Sequence, residues 1–145
     1  MSARILLVED ELLVALSIRE ALSEAGFDVD CAYLGNTVIE ERPGVEWDAA
    51  LVDMALPDRN GAAVVRHLLN QQPLLPVILT TGLETPETRR FASDHELTIL
   101  PKPFDDATLV QLLRSMLVRE SHATSRAQVA AGVVRSSSSA SSSAA

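Results

Sequence analysis

Several residue types are scarce in this chain of 145 residues, and each scarcity excludes a class of protein. The single cysteine, Cys31, rules out an internal disulfide bond and fits a reducing compartment. Basic residues number 12 against 20 acidic ones, and aromatic residues make up only 3% of the chain. A protein with a net charge of −8 is a poor candidate for binding nucleic acids or anionic membranes, because both require a basic face. No apolar run has the length of a membrane span and no secretion signal is recognisable, so we expect a cytoplasmic protein.

The last 25 residues differ in composition from the rest of the chain. Residues 121–145 contain nine serines and seven alanines but no acidic residue. Burial of so little apolar surface does not offset about 1–2 kcal/mol of backbone entropy per residue. The sequence therefore predicts one folded domain over residues 1–120 and a disordered Ser/Ala-rich tail over residues 121–145.

Five short apolar runs alternate with helical patterns in residues 1–120. The runs are continuous rather than alternating, which is typical of strands that are buried on both faces. Gly26 is a predicted helix stop, while Thr85 and Asp105 are predicted helix N-caps. The pattern predicts an α/β fold with a doubly wound, five-stranded parallel sheet and five helices. The predicted strands cover residues 5–8, 29–33, 49–52, 76–80 and 97–100.

Polar residues follow four of the predicted strands. Ligands of such sheets bind beyond the carboxyl ends of the strands, where all these residues would meet. Each residue alone has a simpler explanation as a helix cap, a turn residue or a surface charge, so the prediction depends on their sharing one edge. They are Glu9 and Asp10 after the first strand, Asp53 at the end of the third, Thr80 and Thr81 at the end of the fourth, and Lys102, the only lysine, after the fifth.

Three carboxylates at one edge indicate a cation site. Two carboxylates about 4 Å apart repel each other by roughly 4 kcal/mol at an effective dielectric constant of 20. A bound cation or protonation of one acid relieves this repulsion. Oxygen ligands without histidine or cysteine favour Mg²⁺. With a lysine and a hydroxyl opposite, such a site suits a phosphoryl group, and Asp53 is the candidate nucleophile that would form an aspartyl phosphate.

Four motifs occur in an order that resembles the receiver domain of two-component response regulators. They are LLVEDE, LVDMALPDRNG, PVILTTG and PKPF, and the resemblance covers residues 4–119. It implies a flavodoxin-like sheet with the strand order 2-1-3-4-5. It also implies that Asp53 is the phosphoacceptor, that Thr81 rather than Thr80 is the switch hydroxyl, and that Lys102 is the family's lysine.

The resemblance also assigns a metal site and the loop around it. Pro57 and Gly61 match the residues that shape the loop after the phosphoacceptor, and Pro103 matches a proline that follows a cis peptide bond. The implied Mg²⁺ ligand set is Glu9, Asp10, Asp53 and the backbone carbonyl of Ala55, with Asp10 and Asp53 as direct ligands.

The resemblance implies a receiver in a two-component phosphorelay, and we expect it to stand alone because the 25 residues of the tail are too few for an output domain. A histidine kinase or a histidine phosphotransfer protein would donate the phosphoryl group, and an unknown downstream protein would bind the switched surface. We expect no nucleic-acid or membrane partner, and a monomer or weak homodimer. The chain would not be an enzyme, since it would catalyse only its own phosphoryl transfer and hydrolysis.

Three other functions are compatible with parts of the pattern. The chain could be a degenerate receiver that binds partners without phosphorylation. It could be a small phosphatase with an aspartate nucleophile, although such enzymes usually carry a second acid where this chain has Ala55. It could be a flavodoxin-like cofactor binder, although Glu9 and Asp10 stand where a glycine-rich phosphate loop would be expected.

Overall fold

Strands and helices alternate strictly along the chain. The structure, a computed structural model, describes residues 2–41, 44–56, 58 and 60–130. The strands are β1 (Arg4–Val8), β2 (Asp28–Ala32), β3 (Ala49–Asp53), β4 (Val77–Thr81) and β5 (Thr98–Pro101). The helices are α1 (Leu12–Glu24), α2 (Gly35–Glu41), α3 (Gly61–Gln71), α4 (Pro86–Asp94) and α5 (Asp106–Ala130).

All five strands form one parallel sheet in the order β2-β1-β3-β4-β5. The predicted fold class and the strand order that the resemblance implies are both confirmed. The chain runs from β1 to β2 on one side, then crosses back past β1 to β3 on the other side and continues outward to β4 and β5. The carboxyl ends of β1 and β3 therefore lie side by side where the strand order reverses, which is the place for a ligand in this type of sheet.

Two apolar layers cover the two faces of the sheet. Ile5 and Leu7 of β1 pack with residues of α1 and α5, whereas Leu6 and Val8 pack with residues of α3 on the opposite face. Every residue of β3 and β4 is buried. This double burial explains why the strands appear in the sequence as uninterrupted apolar runs.

The predicted helix signals are confirmed at their ends. Gly26, just beyond α1, has a φ of 98°, a left-handed conformation that glycine adopts without a side-chain clash. The Thr85 side chain accepts a hydrogen bond from the backbone N–H of Thr88 at 3.1 Å, with Pro86 in the first turn of α4. Asp105 caps α5 in the same way through Thr108, at 2.7 Å.

Helix α5 differs from the prediction for the end of the chain. It continues beyond residue 120, where the predicted domain ends, and runs to Ala130, whereas disorder was predicted from residue 121. The prediction considered only apolar burial. Residues 121–130 contain neither glycine nor proline, so no strong helix breaker interrupts the helix that begins in the domain. Residues 131–145 of the predicted tail lie outside the described residues.

Helix length alone does not make α5 a membrane segment. Among the described residues, no helix combines the length and the apolar composition that a membrane span requires.

Candidate functional site

The predicted site residues meet at the carboxyl edge of the sheet. Glu9 follows β1, and its backbone N–H donates to the carbonyl of Ala32 at 3.0 Å, which extends the sheet hydrogen bonding by one residue. Asp53 is the last residue of β3. The backbone N–H of Lys102 donates to the carbonyl of Thr81 at 2.8 Å, so the end of β4 fixes the start of the lysine loop. Parallel pairing thus brings together residues that are up to 93 positions apart in the sequence.

The ammonium group of Lys102 bridges two carboxylates. Its Nζ donates to Glu9 Oε1 and to Asp53 Oδ2, at 3.1 Å each. The side chains of Glu9 and Asp53 are only 2% and 6% exposed, whereas that of Lys102 is 25% exposed. The lysine therefore reaches from the surface into a buried acidic site and partly neutralises it.

Three carboxylates cluster at this point. One oxygen from each of Glu9, Asp10 and Asp53 lies within 4.8 Å of the others, and Asp10 is the more exposed of the three. Three negative charges against the single ammonium of Lys102 leave the group with an excess of negative charge. Clustered oxygen donors without histidine or cysteine suit a hard divalent cation such as Mg²⁺. The donor set therefore fits the metal that the resemblance implies.

Burial and neighbouring charges perturb two groups of this cluster. Burial raises the pKa of Glu9, and the charge of Asp53 raises it further, against the lowering effect of the Glu11 amide and of Lys102. Burial alone would lower the pKa of Lys102. The hydrogen bonds and charges of Asp53 and Glu9 outweigh that effect and leave the lysine pKa above its ordinary value. Lys102 therefore remains protonated at neutral pH, while Glu9 holds its negative charge less readily than an exposed glutamate.

The loop after β3 folds back on Asp53. The backbone N–H of Ala55 donates to Asp53 Oδ1 at 3.1 Å, and Ala55 forms an isolated β-bridge with Asn60. The backbone N–H of Gly61 donates to the carbonyl of Met54 at 2.9 Å. These contacts hold the main chain of Ala55, the predicted carbonyl ligand, directly beside the carboxylate. Pro57, which is predicted to shape this loop, lies outside the described residues.

Gly61 allows α3 to approach the backbone of Asp53 closely. A Cβ atom at Gly61 would collide with the carbonyl oxygen of Asp53 and would lie 2.7 Å from Met54 Cα. These neighbours are main-chain atoms and cannot rotate away. The predicted role of Gly61 in shaping the loop thus has a steric basis.

Replacement of this glycine tests the steric constraint. We expect Gly61→Ala to lower the free energy of unfolding by about 1–3 kcal/mol, since the backbone must shift to admit the methyl group. Gly82→Ala is the matched control, because a Cβ there meets nothing within 4 Å. Urea denaturation of both variants measures the difference. Equal stability of the two variants would contradict the steric explanation.

The hydroxyl of Thr81 is bonded within the β4–α4 connection. Its Oγ1 donates to the Leu83 carbonyl at 2.8 Å and accepts from the Leu83 N–H at 3.1 Å. Thr80, the rival candidate, directs its hydroxyl to the Val52 carbonyl at 3.5 Å. Thr81 therefore ends β4 at the edge that carries the acids, but its hydroxyl must leave Leu83 before it can bond to a group at Asp53.

The predicted cis peptide bond before Pro103 is confirmed.

Sequence reasoning missed a contact made by Asp58. Its two carboxylate oxygens accept hydrogen bonds from the backbone N–H groups of Gly35, at 2.9 Å, and Asn36, at 2.8 Å. In the sequence, Asp58 is an unremarkable turn acid in the segment LPDRNG. No local pattern connects it with the start of α2, which lies 23 residues earlier.

The sheet order and the acidic cluster beside a lysine define a doubly wound α/β domain with a polar site at its carboxyl edge. Comparison of the sequence with known families identifies this class of domain. Residues 5–114 match the model of the response regulator receiver domain. The chain therefore belongs to the family of response regulator receiver domains.

Curated relatives are similar over most of this chain. The probable transcriptional regulatory protein SilR of Salmonella typhimurium is 36% identical over 120 residues, which cover 80% of this chain and 51% of that protein. The transcriptional regulatory protein CusR of Escherichia coli K12 is 34% identical, with 80% and 52% covered. The chain thus spans about half the length of these relatives. A sensor kinase of Brucella abortus, CckA, is 32% identical over 122 residues, which are 13% of its length.

Solved structures agree with the fold. A receiver domain protein from Methanospirillum hungatei superposes with a TM-score of 0.76 at 22% identity, covering 84% of this chain and 98% of that one. A receiver protein from Sinorhizobium medicae gives a TM-score of 0.73 at 26% identity, with 82% and 97% covered. Both matches cover nearly the whole of the solved structure, so the similarity extends across the complete domain fold.

Proposed function

We propose that this receiver accepts a phosphoryl group on Asp53 from a phospho-histidine of a histidine kinase or a histidine phosphotransfer protein, and that the transfer requires Mg²⁺. The observation that carries the proposal is the placement of Asp53. Its carboxylate is 6% exposed, contacts the only lysine, and lies among acids whose oxygens are within 4.8 Å of one another. Family membership supports the same function.

The hydrogen bonds of Asp53 orient it as the nucleophile. The N–H of Ala55 holds Oδ1 and the ammonium of Lys102 holds Oδ2, so the carboxyl plane is fixed before a donor arrives. A carboxylate oxygen attacks phosphorus as the phosphorus–nitrogen bond of the phospho-histidine breaks. The imidazole leaves with the bonding electron pair and takes up a proton from solvent. Fixed orientation reduces the entropic part of the barrier to this in-line transfer.

Lys102 and Thr81 are the residues that would hold the product. Phosphorylation replaces the single charge of Asp53 by a charge of about −2 and adds acceptor oxygens. The Lys102 ammonium already lies 3.1 Å from Asp53 and can bond to a phosphoryl oxygen. The Thr81 hydroxyl can exchange its bonds with Leu83 for a bond to the phosphoryl group. That exchange would free the β4–α4 connection and shift the surface around it.

The residues that would hold Mg²⁺ are Glu9, Asp10, Asp53 and the carbonyl of Ala55. When bound, the cation supplies positive charge that offsets the acids and the incoming phosphoryl oxygens. The chain contributes the charged oxygens, the buried position of Asp53 and the fixed main chain at Ala55.

The output of the switch belongs to the same proposal. We expect the altered surface to be bound by a separate downstream protein, with the receiver as a monomer or a weak homodimer in the cytoplasm. The stand-alone arrangement stays a prediction, since the chain spans about half the length of its relatives, two of which carry names of transcriptional regulatory proteins.

Direct phosphorylation tests the proposal. The protein is incubated with acetyl phosphate and Mg²⁺ and run on a gel that retards phosphoproteins. We expect a retarded band that hydroxylamine removes, as it does from acyl phosphates, and that is absent when EDTA replaces Mg²⁺. Profiling of transfer from a panel of histidine kinases then identifies the donor. A chain that is never phosphorylated would instead favour the degenerate, phosphorylation-independent receiver.

A further inference from the structure

We infer that Asp58 is a positioning residue: its carboxylate ties the loop carrying the Ala55 carbonyl to the start of α2, so that metal binding and the order of α2 are coupled. The inference rests on the proposed function, because it assumes that the carbonyl of Ala55 helps to hold Mg²⁺. Its basis is the pair of hydrogen bonds from Gly35 and Asn36 to the two oxygens of Asp58, at 2.9 and 2.8 Å.

The direction of the Ala55 carbonyl depends on how its loop is held. A backbone carbonyl can serve as a metal ligand only where the path of the loop aims it, and no side-chain rotation can correct the aim. On the inner side, the loop is attached through Asp53 and the bridge between Ala55 and Asn60. Farther along the loop, Asp58 joins it to a different element of the fold.

The contact consists of hydrogen bonds, so it depends on the relative positions of the carboxylate and the two N–H groups. The first N–H groups of a helix have no partner within the helix, and a carboxylate that accepts from two consecutive N–H groups satisfies both. Asp58 itself is exposed, so burial does not force its side chain into this position. Two charge-assisted bonds at ordinary lengths join it to the start of α2. The loop and α2 are therefore joined by a polar contact that can open without disturbing the apolar core.

Coupling through this contact is reciprocal. If the contact orders the loop for the metal, then a metal that orders the loop must also stabilise the contact. The backbone N–H groups of Gly35 and Asn36 should then exchange with solvent more slowly when Mg²⁺ is bound. These two amides report the state of the loop from outside the acidic cluster.

Two substitutions at one position separate the hydrogen bonds from the charge. Asp58→Asn and Asp58→Ala both remove the negative charge, but the asparagine retains one acceptor oxygen. We expect Asp58→Ala to bind Mg²⁺ about tenfold more weakly than the wild type, as for other residues that orient metal ligands, with Asp58→Asn in between. Asp94→Ala, an exposed acid at the end of α4, is the control and should bind Mg²⁺ as the wild type does.

Calorimetric Mg²⁺ titration and amide exchange of the full chain provide the two measurements. The expected result is the graded loss of affinity, together with Mg²⁺-dependent protection of Gly35 and Asn36 that is present in the wild type and lost in Asp58→Ala. Equal affinity losses in both Asp58 variants would indicate charge alone and would overturn the inference, as would unchanged affinity with a lowered melting temperature. A wild type that binds no Mg²⁺ would overturn the metal part of the proposed function as well, which distinguishes the two failures.

Discussion

Asp53→Asn will yield no phosphorylated protein under conditions that phosphorylate the wild type. Asparagine has nearly the shape of aspartate, and its oxygen can still accept from the N–H of Ala55. Its amide nitrogen is not a nucleophile and cannot accept from Lys102, so both the attack on phosphorus and the bridge at Oδ2 are lost. Mass spectrometry of the intact chain after treatment with acetyl phosphate and Mg²⁺ measures the effect.

Asp28→Asn is the matched control for this experiment. Asp28 is an exposed acid at the opposite end of the strands, at the start of β2, and its replacement changes the net charge by the same amount. This control should be phosphorylated as fully as the wild type. Circular dichroism of both variants verifies the fold. A phosphorylated Asp53→Asn protein would place the acceptor at another residue and would refute the assignment.

We expect the second large effect, a loss of stability, for the Lys102→Met variant when no metal is present. Methionine keeps most of the apolar stem but leaves the buried carboxylates of Glu9 and Asp53 without their shared cation. Loss of one partner from a fully buried pair costs about 3–5 kcal/mol. Since Lys102 is 25% exposed, we discount this figure and expect the free energy of unfolding to fall by about 2–3 kcal/mol at neutral pH.

Acid and Mg²⁺ should both reduce this deficit. Since the folded-state pKa of Glu9 lies above its ordinary value of 4.5, the folded protein holds the Glu9 proton more tightly than the unfolded chain does. The Glu9 contribution to stability therefore falls as pH rises from about 4.5 through the folded-state pKa, and it is recovered as the carboxyl group is protonated. Bound Mg²⁺ would replace the missing positive charge and stabilise the folded state by mass action.

Urea denaturation at neutral and acidic pH, with EDTA or Mg²⁺, measures these effects. We expect the deficit of Lys102→Met to shrink below neutral pH, and Mg²⁺ to stabilise the variant more than the wild type. Arg89→Met is the control, because the Arg89–Glu84 pair at 3.9 Å is exposed and should contribute no more than about 0.5 kcal/mol. If Mg²⁺ stabilises both proteins equally, the lysine and the cation do not share a site.

Much of the fold follows from local signals in the sequence. The apolar runs predict the five strands because each strand is buried on both faces. Gly26, Thr85 and Asp105 mark helix ends through contacts within a few residues, which a sequence shows directly. The end of α5 was not predicted, because an argument from apolar burial ignores the hydrogen bonds that a helix makes within itself.

The composition of the site was predictable, but its bonding was not. Parallel pairing brings the ends of β1, β3 and β5 to one edge, so the meeting of Glu9, Asp53 and Lys102 follows from the strand assignment. The two bonds of Thr81 to Leu83 depend on a side-chain rotamer and on the path of a loop. The bonds of Asp58 depend on a loop and the start of α2 that approach each other in space, and no periodicity in the sequence encodes that approach.

The uniqueness of Lys102 has a practical consequence for spectroscopy. A protein produced with isotopically labelled lysine would carry a single labelled ammonium group, and that group lies 3.1 Å from both Glu9 and Asp53. Its chemical shift would respond to the loss of a carboxylate neighbour, to a cation and to a phosphoryl group. The wild-type chain thus contains its own reporter nucleus, so the occupancy of the site can be followed without an added tag or an engineered cysteine.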